Sequence, residues 1–87
     1  MTGPVAVVPE PVQTPDPRLQ ALGTRIRHLR EGQDLTVEAV AERADMSARG
    51  LLYIEHGKRN PSALTLMSIA NALDVTVGRL FEADTRP

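Results

Sequence analysis

The sequence predicts an all-α fold: five short helices packed as one small domain behind an arm without regular structure. Three observations predict it. From Arg18 onward, apolar residues recur at three- and four-residue steps in five successive segments, the period of helices with one buried face. No stretch reads convincingly as a strand, and the connections between segments are short enough for a compact bundle. Residues 1–17, MTGPVAVVPEPVQTPDP, hold five of the seven prolines, which remove backbone donors and favour extended conformations. That stretch reads as a disordered N-terminal arm, leaving residues 18–87 as the folded domain.

In the first segment Leu19, Leu22, Ile26 and Leu29 form one apolar stripe, with Arg25, Arg27 and Arg30 off it and Gly32 as the stop. Thr36 can cap a second helix whose Val37, Val40, Ala41 and Ala44 face inward. Its capping box is incomplete, because Ala39 stands where a reciprocal Glu or Gln would sit. Asp45-Met46 separates this helix from Ser47, the cap of a third helix with Leu51 and Ile54 inward. Gly57 ends it, and Lys58-Arg59-Asn60 lead to Pro61. Ser62 can cap a fourth helix carrying Leu66, Met67, Ile69, Ala70 and Leu73. Thr76 opens a fifth carrying Val77, Leu80 and Phe81.

Composition narrows the function. There is no cysteine, hence no disulfide and no thiolate zinc site, a composition that suits a reducing cytoplasm. The first cation is Arg18, so the basic start of a signal peptide is missing, and no apolar run approaches the roughly 20 residues that span a bilayer. His28 and His56 have no metal-ligand spacing around them, and no glycine-rich phosphate loop follows a strand. The reading is therefore a soluble, cytoplasmic, non-enzymatic protein with no catalytic residue, metal or cofactor. Net charge is −1, but the cations gather in Arg25–Arg30 and Arg49–Arg59.

The second and third helices are short, close in sequence and meet at the small Ala41, which suits a helix-turn-helix. An isolated αα-hairpin shows the same spacing. At this point Leu22–Phe81, about two thirds of the chain, resembles the Cro/C1-type helix-turn-helix domain of phage repressors and xenobiotic-response-element regulators. The resemblance rests on LGTRIRHLRE, LTVEAVAERADMS, LLYIEHGKRNPS and LMSIANALDVTVGRLF. It implies a lambda-repressor-like DNA-binding domain whose third helix enters the major groove.

By resemblance, the base-facing positions are Ala48, Arg49 and Tyr53. Arg49 can pair with guanine O6 and N7, worth about 1–3 kcal/mol of discrimination. Ala48 departs from the Gln or Arg often found there and offers only a methyl. Gly50 would let the helix approach the DNA backbone, at a helix cost of up to about 1 kcal/mol. Phosphate contacts fall to His56, Lys58, Arg59 and Asn60, with hydroxyls from Thr36 and Ser47 beside the helix N-termini. Val37 replaces a Gln the family often sets against the DNA backbone. Arg30 and Glu55 correspond to a structural ion pair that orients the third helix.

The resulting expectation is a sequence-specific DNA-binding transcriptional regulator, a repressor or activator acting alone or through a partner protein. A homodimer is expected, joined through the last two helices at Leu64 and Val77, on half-sites about 34 Å apart. The alternative is an antitoxin-like or other protein-interaction module on the same fold, suggested by the apolar Val37, Ala48 and Leu52.

Overall fold

Asp16 sets the start of the first helix. In the computed structural model, which describes residues 16–83, its backbone is extended and its carboxylate accepts from the Arg18 amide at 2.9 Å. Pro17 follows as the first residue of α1 (Pro17–Gly32), where a missing N–H costs nothing. The expected arm lies outside the described residues as far as residue 15; of its last two residues, Asp16 caps α1 and Pro17 begins it.

The other helices are α2 (Val37–Arg43), α3 (Ala48–Glu55), α4 (Ala63–Ala72) and α5 (Val77–Leu80). The side-chain oxygens of Thr36, Ser47, Ser62 and Thr76 accept from the amides of Ala39, Gly50, Thr65 and Arg79 at 3.0, 3.0, 3.1 and 3.3 Å. Each bond satisfies an amide with no partner inside its own helix.

The first four helices share one way of stopping. After each, one residue turns left-handed: Asp34 (φ 58°), Asp45 (φ 55°), Gly57 (φ 71°) and Asp74 (φ 57°). The amide of the next residue then reaches back to the helix: Leu35 to the Arg30 carbonyl, Met46 to Ala41, Lys58 to Tyr53 and Val75 to Ala70, at 2.8–3.2 Å. These are Schellman turns, and three of them use Asp, which tolerates this conformation better than most residues. Gly32 is therefore the last helical residue of α1, and the reversal expected there occurs at Asp34.

Ile26, Val40, Leu51, Ile69, Leu73 and Leu80 are the largest fully buried side chains, around which α1 packs on α3 and α5, α2 on α3 and α4, and α4 on α5. Two residues expected inside are outside: Met67 is 55% and Phe81 61% exposed. On α4 the inward stripe is Leu66, Ile69, Ala70 and Leu73, and Met67 lies one step, about 100°, off it. On α5 Leu80 takes the inward seat, so Phe81, the C-cap, points away.

α1 and α3 meet at Gly23. A Cβ there would lie within 3.0 Å of the Ile54 and Glu55 carbonyl oxygens, so no other residue fits without parting the two helices. Polar ties join the remaining ends. Gln33 Nε2 donates to the Leu73 carbonyl at 2.7 Å, and Arg25 Nε to the Arg79 carbonyl at 3.0 Å.

Candidate nucleic-acid interface

The inner face of α3 is held from three sides. Leu51 and Ile54 enter the core, Gly23 admits the last turn against α1, and Glu55 is clamped by Arg30. Arg30 Nε donates to Glu55 Oε2 at 2.7 Å and its Nη2 to Oε1 at 3.0 Å, while Nη1 donates to the Leu35 carbonyl at 2.8 Å. Glu55 is only 4% exposed. Its carboxylate, accepting two bonds, raises the Arg30 guanidinium above the ordinary arginine value, against the opposing effect of burial.

The outer face carries Arg49, Leu52 and His56, all exposed, with Tyr53 half-buried at its edge. Lys58 and Asn60 are exposed in the loop that follows, and Arg59 is half-buried. The turn after α3 differs from its three siblings in both key seats. Leu35, Met46 and Val75 pack against the core, whereas Lys58, in the equivalent seat, is in solvent. The left-handed seat is Gly57 rather than Asp, and a Cβ there would lie 2.8–3.0 Å from Gln20.

The hydroxyl oxygens of Thr36 and Ser47 are engaged as caps, but both groups are exposed and keep a hydrogen to donate outward. Ala48 is half-buried and packs against the core, which leaves less of its methyl for a partner. Val37 does the same, which accounts for an apolar residue at this position. Gly50 is buried: a Cβ there would meet the Ser47 hydroxyl at 3.0 Å and Arg59 Nη1 at 3.5 Å. The expected space for an approaching DNA backbone is thus filled by the protein's own groups.

Two features were missed by the sequence reading. The Arg59 guanidinium lies over the Tyr53 ring, 5.2 Å from its centroid. The buried Arg27 Nε has no hydrogen-bond partner, and Arg27 lines a cleft of about 350 Å³ with Gln20, Thr24, Glu55 and His56. A basic residue off the apolar stripe was the only signal for Arg27, and nothing local pairs residues 53 and 59. Among the described residues no cluster of His, Cys, Asp or Glu could hold a metal, and no helix is long and apolar enough to cross a membrane.

Residues 26–80 match a family model described as helix-turn-helix. The chain is 36% identical over 64 residues to the immunity repressor protein of Bacillus phage phi105, an alignment covering 74% of this chain and 44% of that repressor. The chain thus spans less than half the length of that relative. The restriction-modification controller protein C.AhdI of Aeromonas hydrophila superposes with a TM-score of 0.75 at 30% identity, over 76% of this chain and 100% of that one. The biofilm master regulator SinR, solved in complex with DNA, superposes with a TM-score of 0.66 at 31% identity, over 70% of this chain and 98% of that one.

Proposed function

Because this chain belongs to the helix-turn-helix family, matched over residues 26–80, we propose that it is a sequence-specific DNA-binding transcriptional regulator that inserts α3 into the major groove. One observation carries the reading. Between Ser47 and Asn60 the cations are Arg49, Lys58 and Arg59, and the sole carboxylate, Glu55, is buried and paired with Arg30. A chain of net charge −1 therefore presents an outward segment with no exposed negative side chain. That surface suits a polyanion.

In this reading Arg49 and Tyr53 meet base edges, and Ala48 adds a small methyl contact. Thr36, Ser47, His56, Lys58 and Asn60 meet phosphates, with Arg59 beside them. The protein works in the cytoplasm as a repressor, as the phage relative's name supports, and no catalytic step is assigned to it. It binds as a homodimer, since one recognition helix reads only a few base pairs. Leu64 and Met67, 75% and 55% exposed and three residues apart on α4, are the apolar surface for that contact. Val77, half-buried against the core, contributes its remaining edge.

Selecting bound duplexes from a random pool, then measuring Arg49→Ala and Lys58→Ala at two salt concentrations, tests the reading. Arg49→Ala is expected to flatten preference at one operator position and to leave random-duplex binding nearly intact. Lys58→Ala is expected to weaken all duplexes alike and to lower the salt slope by about one unit. Binding insensitive to salt, with no sequence enriched, refutes it and favours the protein-interaction reading.

A further inference from the structure

The loop cation Arg59 differs from its neighbours Lys58 and Asn60 in being half-buried. Among the described residues it makes no hydrogen bond or ion pair; what holds it is the Tyr53 ring, 5.2 Å from its guanidinium carbon. Gly50 lies one turn before Tyr53 on the same flank of α3. The guanidinium reaches along that flank until Nη1 stands 3.5 Å from where a Gly50 Cβ would be. The side chain thus lies across a shelf, with the phenol ring at one end and a side-chain-free notch at the other.

We propose that Arg59 is a positioning residue for recognition: by stacking on Tyr53 it fixes how that ring meets the DNA, and so tunes base preference rather than serving mainly as a phosphate contact. This rests on the DNA-reading function proposed above. Tyr53 is half-buried on a helix, where its first side-chain torsion keeps two staggered settings and its ring torsion is broad. A planar cation on one face removes that freedom beforehand, so less ordering remains to oppose binding. Arginine suits this role and lysine does not, because only the guanidinium is flat and only it can stack while its in-plane N–H groups stay free to donate. Gly50 borders the same shelf: a Cβ there would press on the Ser47 cap at 3.0 Å and come into ordinary contact with Arg59 Nη1 at 3.5 Å.

Tyr53 is the sole tyrosine and there is no tryptophan, so the tyrosine region of the near-ultraviolet circular dichroism reports this ring alone. The experiment compares the full chain with Arg59→Lys and Arg59→Ala. It measures that signal without DNA, then the salt slope and base preference on the selected operator and its single-position variants. Arg59→Lys is expected to change the Tyr53 signal, to keep the salt slope and to reduce preference at one position by about threefold to tenfold. In a Tyr53→Leu background the same change is expected to have no further effect on preference. If Arg59→Lys leaves both signal and preference unchanged while Arg59→Ala lowers the slope, Arg59 is a phosphate contact and the proposal falls. A chain that selects no operator overturns the functional reading as well, and is told apart by the lack of enrichment in the unsubstituted protein.

Discussion

Arg30→Met removes two bonds to Glu55 and one to the Leu35 carbonyl, and leaves a carboxylate whose side chain is 1% exposed without a counter-charge. Removing one partner of a fully buried pair costs about 3–5 kcal/mol, whereas exposed pairs are worth about 0–1 kcal/mol. The Arg30 side chain is 12% exposed, so the pair lies near the buried limit and the single change is expected to cost about 3 kcal/mol. Glu55→Gln keeps the volume and one acceptor, and Arg30 retains Leu35 and a little solvent, so its cost is about 1.5 kcal/mol. In the double variant no unpaired charge is buried. Its cost is about 2.5 kcal/mol, below that of Arg30→Met alone, giving a coupling energy near 2 kcal/mol. Urea unfolding of the four proteins at neutral pH measures all the terms, with a common slope confirming that the same surface is exposed. Strict additivity would refute the reasoning. The seat of α3 would then be set by Gly23 and the core, with the ion pair contributing nothing specific.

Other expectations follow from the same contacts. Gly23→Ala drives a methyl into two backbone carbonyls that cannot rotate away; thermal or urea unfolding is expected to show a loss of about 2–3 kcal/mol, and an unchanged midpoint would mean α1 and α3 separate freely. The Asp16 carboxyl is lowered to about 2, first by the Arg18 side-chain bonds and then by the Arg18 amide. Its folded value lies below the ordinary 3.8, so the cap contributes fully above that pH and is lost as pH falls through about 2; a carboxyl NMR titration with its midpoint at the ordinary value contradicts this. Met67→Glu, placed among exposed apolar groups, is expected to weaken self-association in sedimentation without lowering the melting point, and an unchanged association constant removes α4 from the interface.

Why some features were legible in the sequence, and others not, has a local explanation. The helix starts could be read because Thr36, Ser47, Ser62 and Thr76 act on amides three residues away, within reach of a spacing rule. The stops were harder: a glycine in the left-handed seat is a strong signal, but Asp34, Asp45 and Asp74 look like ordinary surface acids. Met67 and Phe81 misled because their apolarity outweighed the step of about 100° that separates each from the inward residue before it, Leu66 and Leu80. In the candidate interface Arg49 and Lys58 stood out by charge. The Arg59–Tyr53 stack did not, because a helix end and a chain reversal intervene and no fixed offset joins the two. Arg25 stood in the sequence only as a cation off the apolar stripe, because the Arg79 carbonyl that it reaches lies 54 residues further along the chain.

The turn after α3 also suggests how such a protein diverges. Its three siblings combine Asp with an apolar residue that returns to the core, and this one alone combines Gly57 with Lys58. A duplicated copy drifting toward the pattern of its own other turns can lose the cation at 58, but an Asp at 57 would set its Cβ 2.8–3.0 Å from Gln20, so the left-handed seat keeps its glycine. One substitution at 58 would remove a positive charge from this exposed turn, while the packed faces of α2 and α3 kept their residues. Divergence at this turn is thereby confined to the exposed residue 58, because the backbone of α1 closes the seat before it to any side chain.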